Sequence, residues 1–173
     1  MKILAGIVDK WGKIILVVVT SLSIAVFGWY WRWRQIRRAT LSGYLLTLPD
    51  YTMVTGNFGG ESRQFELVHS SAAVQQGLSD RSEIGSDGML FVMPARGFYP
   101  FWMPRMQFDL DIVWLDEGRV VDISYEVKAQ PNVPTTQLPL YTSKTPANMV
   151  LEIASGQAQA WHLQVGDELE IAR

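Results

Sequence analysis

The side chains able to do chemistry are few, and their types narrow the choices before any fold is considered. The chain has no cysteine, which removes thiolate nucleophiles, disulfides, iron–sulfur ligation and every sulfur-ligated zinc site. His69 and His162 are the only imidazoles, so a three-histidine metal centre is out of reach within one chain. No Gly-x-Ser-x-Gly elbow and no phosphate-cradling glycine loop followed by lysine occurs. Such an inventory calls for neither a cofactor nor a metal.

Carboxylates remain. On a strand over Leu110–Leu115 the period of two puts Leu110, Ile112 and Trp114 on one face and Asp111, Val113 and Leu115 on the other. A carboxylate among apolar neighbours has two fates. Desolvation can raise its pKa and make it an acid or base, or backbone N–H groups can satisfy it as a structural acceptor. The structural fate is the commoner one, and Asp111 is the single candidate catalytic residue. Asp109 shares its face, and Glu126 or Glu152 could approach from other strands to make a glycosidase-like pair or a hard-cation site. Calcium loops interleave acids with glycine and polar residues, whereas Asp109 to Asp116 interleaves them with large apolar ones. No metal site is expected from that pattern.

A binding surface has better material. Phe98, Tyr99, Phe101, Trp102 and Met103 stand beside Pro100 and Pro104, which disfavour a regular interior strand and favour an irregular aromatic loop. Flat rings on such a loop can stack on sugars, peptides or lipids, making Tyr99, Phe101, Trp102 and Met103 candidate binding residues. The alternative is that Trp102 and Met103 plug one end of the core.

The elements that must position these groups read as mostly β. Tyr51–Thr55 and Arg63–His69 flank the turn Asn57-Phe58-Gly59-Gly60 as a first hairpin. Ser70 or Ser71 caps a short helix ended by Gly77, with Leu78 as an apolar plug. Met89–Met93 is wholly apolar and stopped by Pro94, which suits a strand buried on both faces. Leu110–Leu115 and Val120–Ser124 form a hairpin about Asp116-Glu117-Gly118-Arg119. Prolines 131, 134, 139 and 146 make residues 130–146 a long surface loop. Val150–Ile153 is a strand, Gly156–His162 a helix capped by Ser155, and Glu168–Ala172 a last strand.

Ahead of this lies an uncharged run, Ile14–Trp31, spanning roughly 27 Å at ~1.5 Å per residue as a helix. Lys10 and Lys13 stop it on one side and Arg32 and Arg34 on the other, with tryptophans at both ends as interfacial anchors. Bulky aromatics and arginines follow the run, where signal-peptide cleavage needs small residues. The expected organisation is a flank at 1–13, a transmembrane anchor at 14–31 and a juxtamembrane linker at 32–50. A barrel-like or sandwich-like, mainly β (α+β) domain with two short helices follows at 51–173. The lipid bilayer is thus an expected partner.

Charge separates the two parts. Seven basic residues against Asp9 alone put +6 in the first 38 residues, leaving −8 for the rest of a chain whose net charge is −2. An acidic domain repels phosphate backbones, so nucleic acid is not an expected partner. Three lysines before the span and four arginines after it slightly favour a cytoplasmic domain. A short flank followed by an apolar run is instead how exported, signal-anchored proteins begin.

Several uncommon words occur together and in order: Gln76-Gly77-Leu78, Gly88-Met89-Leu90-Phe91-Val92, Phe101-Trp102-Met103, Leu110-Asp111-Ile112, Val150-Leu151-Glu152-Ile153-Ala154-Ser155-Gly156 and Val165-Gly166-Asp167-Glu168-Leu169. Over about Phe65 to Ile171 the chain resembles the domain of unknown function 192 (DUF192) family. The resemblance implies a compact β-rich fold with short helices and no agreed activity. Its bacterial members often begin with an export signal or lipid anchor, which favours an extracytoplasmic domain. Pro104 departs from the family's usual lysine and Asp109 from its usual proline, so no role tied to that lysine carries over. The leading expectation is a membrane-anchored, extracytoplasmic, non-catalytic binding module for an envelope or protein partner. A carboxylate-based hydrolase of envelope carbohydrate or peptide, and a structural membrane-associated protein, are the alternatives.

Overall fold

Runs with an apolar side chain at almost every position belong where both faces of a sheet are covered, and these runs form its middle. The computed structural model describes residues 40–58 and 60–172. Its strands are β1 (Met53–Phe58), β2 (Glu61–Val68), β3 (Gly88–Gly97), β4 (Leu110–Asp116), β5 (Arg119–Val127), β6 (Ala147–Ala154) and β7 (Glu170–Ile171). They make one sheet in the order β5-β4-β6-β3-β2-β1-β7, antiparallel except for the β2–β3 pair. The sheet curls into a half-barrel whose two edges meet at one end. There the Val120 N–H donates to Asp167, and the N–H groups of Gly166 and Leu169 donate to Val120 and Gly118.

Curling separates two cores. Phe65, Leu67, Leu90, Val113, Leu115, Leu151 and Ile153 fill the concave side. Met89, Phe91, Phe101, Met103, Ile112, Trp114 and Val150 pack on the other, beneath a layer of helix and loop. Burial on both faces explains why β3 and β6 lack strand-like alternation. Where β3 lies against β6 the backbones are close: a Cβ at Gly88 would stand 2.8 Å from the Ile153 side chain and 2.7 Å from the Glu152 carbonyl oxygen. Glycine is the residue that fits there.

The expected β4–β5 hairpin is present, and its turn has φ of +50° at Glu117 and +90° at Gly118, the two positive angles that match strand twist. The helix α2 (Ser71–Gln76) is capped by the Ser70 hydroxyl, which accepts the Ala73 N–H at 3.3 Å, and ends at Gly77 with φ +48°. β3 continues through Pro94 to Gly97, past the expected stop. Its register against β6 shifts between Val92 and Gly97, so the missing proline N–H breaks no regular ladder. The late helix α3 (Gln157–Ala160) is shorter than expected and takes left-handed Gly156, not Ser155, as its N-cap.

The stretch expected to be linker up to Asp50 contributes structure. Its helix α1 (Leu41–Leu45) belongs to the compact unit that starts at Thr40, with Leu45 fully buried in the concave core. Ser42 fixes it to the β4–β5 turn: its N–H and hydroxyl donate to the Glu117 carboxylate at 3.1 and 2.5 Å. Asn148 of β6 donates to the same carboxylate at 2.6 Å. With α1 there are three short α-helices among the described residues, against the two expected. The anchor expected at Ile14–Trp31, with Lys10, Lys13, Arg32 and Arg34, lies outside the described residues. Among the described residues no helix is long and apolar enough to cross a membrane.

Candidate functional site: an acid in an apolar pocket

β6 sends Leu151 and Ile153 into the concave core, so the period of two sends Glu152 to the opposite face. There it pairs with Met89 of β3 and Ile112 of β4, and its side chain lines a cavity of about 310 Å³. One wall is α2 and its end, with Val74, Gln76 and Leu78. The facing wall is Pro100–Pro104, with Met106. Both walls are braced. The Gln76 side chain donates to the Ser79 carbonyl at 2.9 Å, and an Asp80–Arg105 ion pair at 2.9 Å ties the segment after α2 to the loop. Phe101 is held by reciprocal backbone bonds to Tyr141, both 2.8 Å, and its ring sits edge-on to Phe91 and Trp114.

Of the residues expected to bind, Phe101, Trp102 and Met103 all line this cavity. Met103, 2% exposed, is the plug; Trp102, 41% exposed, stands at the rim. Tyr99 is not among the lining residues, because its hydroxyl donates to the Ala95 carbonyl at 2.8 Å and its ring covers Gly97. Pro104, where the resemblance would have lysine, lines the cavity too.

The electrostatics are governed by one group. Glu152 is 5% exposed and has no hydrogen-bond or ion-pair partner among the described residues. Burial alone pushes its pKa up from 4.5 to about 8, so the carboxyl is neutral at pH 7. No other lining residue is titratable. The site therefore offers the Glu152 O–H in largely apolar surroundings, with Ser71, Gln75, Gln76 and Ser79 as the neutral polar residues of the lining, and an uncompensated negative charge once the proton leaves. Sequence reasoning had Glu152 only as a carboxylate approaching from another strand. The available signal was a single glutamate in the otherwise apolar run Met149–Ala154.

Asp111 is elsewhere and occupied. It is fully buried, with Oδ1 accepting the Glu126 N–H at 2.8 Å and Oδ2 accepting the Ala158 N–H at 2.9 Å. Asp109 is paired with Lys128 at 2.8 Å and accepts the Ala129 N–H. The Lys128 ammonium and then that N–H hold its carboxyl below the usual range. Neither aspartate lines the cavity. Among the described residues no three His, Asp or Glu side chains are grouped to hold a metal ion.

A curled seven-stranded β domain bearing one acid-lined apolar pocket is the class these features define. The model of the DUF192 family, described as uncharacterized ACR, matches residues 54–171, and the chain belongs to that family. A protein of unknown function from Novosphingobium aromaticivorans has a similar structure: 27% identity, TM-score 0.58, covering 69% of this chain and 84% of that one. So does a protein from Sinorhizobium meliloti described as a candidate transcription regulator: 22% identity, TM-score 0.62, 72% of this chain and 97% of that one. The second likeness carries the fold alone. Among curated proteins, none matches. Two of the words on which the resemblance rests, Gln76-Gly77-Leu78 and Phe101-Trp102-Met103, line the cavity, and Glu152 of a third reaches it from β6.

Proposed function

We propose that this chain is a membrane-anchored, extracytoplasmic binding module whose pocket holds a group of an envelope or protein partner without turning it over. The observation that carries the reading is Glu152, an unpartnered carboxyl buried in an apolar cavity that opens beside Trp102. A few polar groups in a mostly apolar concavity are the usual makings of a ligand site. Binding is favoured over hydrolysis because paired-carboxylate chemistry needs two acids about one substrate, and the pocket is lined by one.

Anchoring is supported by the uncharged run Ile14–Trp31 with its basic and aromatic flanks. A reporter active only outside the cytoplasm, fused after Arg173, is expected to be active, and its cytoplasmic counterpart silent. The reverse pattern would overturn the outward orientation. For the pocket, NMR titration of the detergent-solubilised full chain with small alkyl amines, alcohols and acids is expected to shift the Gly77, Trp102 and Glu152 amides. Val74→Trp, which fills the mouth from the surface of α2, is expected to abolish those shifts while leaving the spectrum of a folded protein. Equal shifts in wild type and Val74→Trp would sink the pocket reading.

A further inference from the structure

We propose that the pocket's ligand is an alkylammonium group, its apolar stem lying against Leu78, Phe91 and Met103 and its nitrogen on the Glu152 carboxylate. This rests on the pocket being a binding site and names what it binds.

The geometry points to a cation for three reasons. First, Glu152 is the one ionisable group in the lining and no described residue pairs with it, so a positive ligand is what would hold it there as a carboxylate. Second, Phe101 and Trp102 line the same cavity, and aromatic rings attract organic cations and disfavour anions. Third, the chain beyond residue 38 carries −8, which draws cations to the domain and repels acids. A hydrated metal ion fits less well, because the lining supplies a single carboxylate and otherwise only neutral, mostly apolar groups. An alkyl stem instead replaces water against carbon and is favoured by the same walls.

Charge balances through a proton. The incoming ammonium keeps its own protons, the Glu152 carboxyl loses one to solvent, and the N–H···O pair forms on the carboxylate. Because burial holds the free carboxyl protonated up to about pH 8, binding below that value must release close to one proton. No other group competes for the role. α2 has no ionisable residue, β4 presents Ile112 beside Glu152, and β3 presents Met89. Arg96 of β3 is paired with Asp116 of β4, and Arg105 of the loop with Asp80 after α2, all four outside the lining.

The test is calorimetry of the full chain in detergent with n-butylammonium, 1-butanol and butyrate, which share a chain and differ in charge. Nα-acetyl-lysine N-methylamide is the fourth probe. At pH 8.5 n-butylammonium is expected to bind at least about tenfold more tightly than 1-butanol, the scale of a charge-assisted bond over a neutral one. Its affinity is expected to fall about tenfold per unit as pH drops below 8 and to level off above it. In buffers of different ionisation enthalpy, about one proton should be released at pH 6.5. Glu152→Gln should make amine and alcohol equal, and Val74→Trp, which leaves the acid in place, should block both. If alcohol or butyrate binds as tightly as the amine and Val74→Trp abolishes it, the cation inference falls and the pocket reading survives. If no probe gives Val74-sensitive binding, both fall. Tighter binding of the lysine analogue than of n-butylammonium identifies a partner's lysine as the source, and the reverse a free amine; either upholds the proposal.

Discussion

Asp111→Ala is expected to destabilise the protein by about 4 kcal/mol, the cost of two charge-assisted hydrogen bonds together with two stranded donors, the Ala158 N–H buried and the Glu126 N–H partly so. The carboxylate is fully buried and acts as a clamp between elements far apart in sequence. Oδ1 takes the N–H of Glu126, which has a left-handed φ of +51° where the β4–β5 register shifts between Leu110 and Ile112. A bulge of that kind turns an N–H out of the ladder, and the carboxylate meets it. Oδ2 takes the Ala158 N–H in the first turn of α3, whose N-cap, Gly156, has no side chain to offer. Asp111→Asn is expected to cost less, about 2 kcal/mol, since an amide oxygen can keep one bond while its NH₂ faces the other donor. Urea unfolding of the full chain, followed by tryptophan fluorescence, measures both. If Asp111→Ala matched wild-type stability yet abolished a measured hydrolytic activity, Asp111 would be catalytic and the clamp wrong.

What could be read in the sequence was whatever local chemistry decides. Ser70 and Gly77 bound α2, Glu117-Gly118 turn the β4–β5 hairpin, and the apolar run Met89–Met93 lies in a strand covered on both faces. The exclusive faces of Leu110–Leu115 also follow from the period of two: Ile112 and Trp114 are in one core, Val113 and Leu115 in the other. What could not be read was decided by tertiary contact. Leu41–Leu45 joins the fold because Glu117, itself held by Asn148 and distant in sequence, accepts from Ser42 and holds the helix against the concave core. Ser155 is displaced as a cap because Asp111 reaches the same helix from β4. Glu152 is buried only because α2 and the Pro100–Pro104 loop close over a strand position that would be solvated on an open sheet. Aromatic residues beside prolines did mark that loop, and three of the four candidate binding residues, Phe101, Trp102 and Met103, line the cavity. The acid beneath them had no local signature beyond standing alone among apolar neighbours.

Stability that falls as pH rises is the expected signature of that acid, and Glu152→Gln should remove it. The unfolded chain titrates Glu152 near 4.5 and the folded chain at about 8. Between those values the folded state binds a proton that the unfolded state does not, so each pH unit upward costs up to ~1.4 kcal/mol. The contribution is whole below pH 4.5 and lost once pH passes 8, after which the curve is flat. Asp109, whose pKa is lowered, works in the opposite sense: its share is present above its unfolded value and lost as pH falls through its folded one. The window between pH 5 and 9 therefore isolates the glutamate on the carboxylate side. Glutamine keeps the shape and carries no charge, so its burial cost is the same at every pH. The gap between variant and wild type should then widen with pH, by as much as ~4 kcal/mol between pH 5 and pH 8 and above, while the offset extrapolated to well below pH 4.5 reports packing alone. Guanidinium unfolding midpoints of the two full-length proteins across this range decide the matter, and parallel curves would mean that Glu152 is not the buried acid described. A bound cation should reverse the trend. By taking the place of the proton, n-butylammonium would stabilise the wild type most at alkaline pH, where the empty pocket is weakest, and Glu152→Gln hardly at all. A pocket that weakens the fold when it loses its proton, and recovers when a positive ligand enters, has its instability and its specificity in the same carboxyl group.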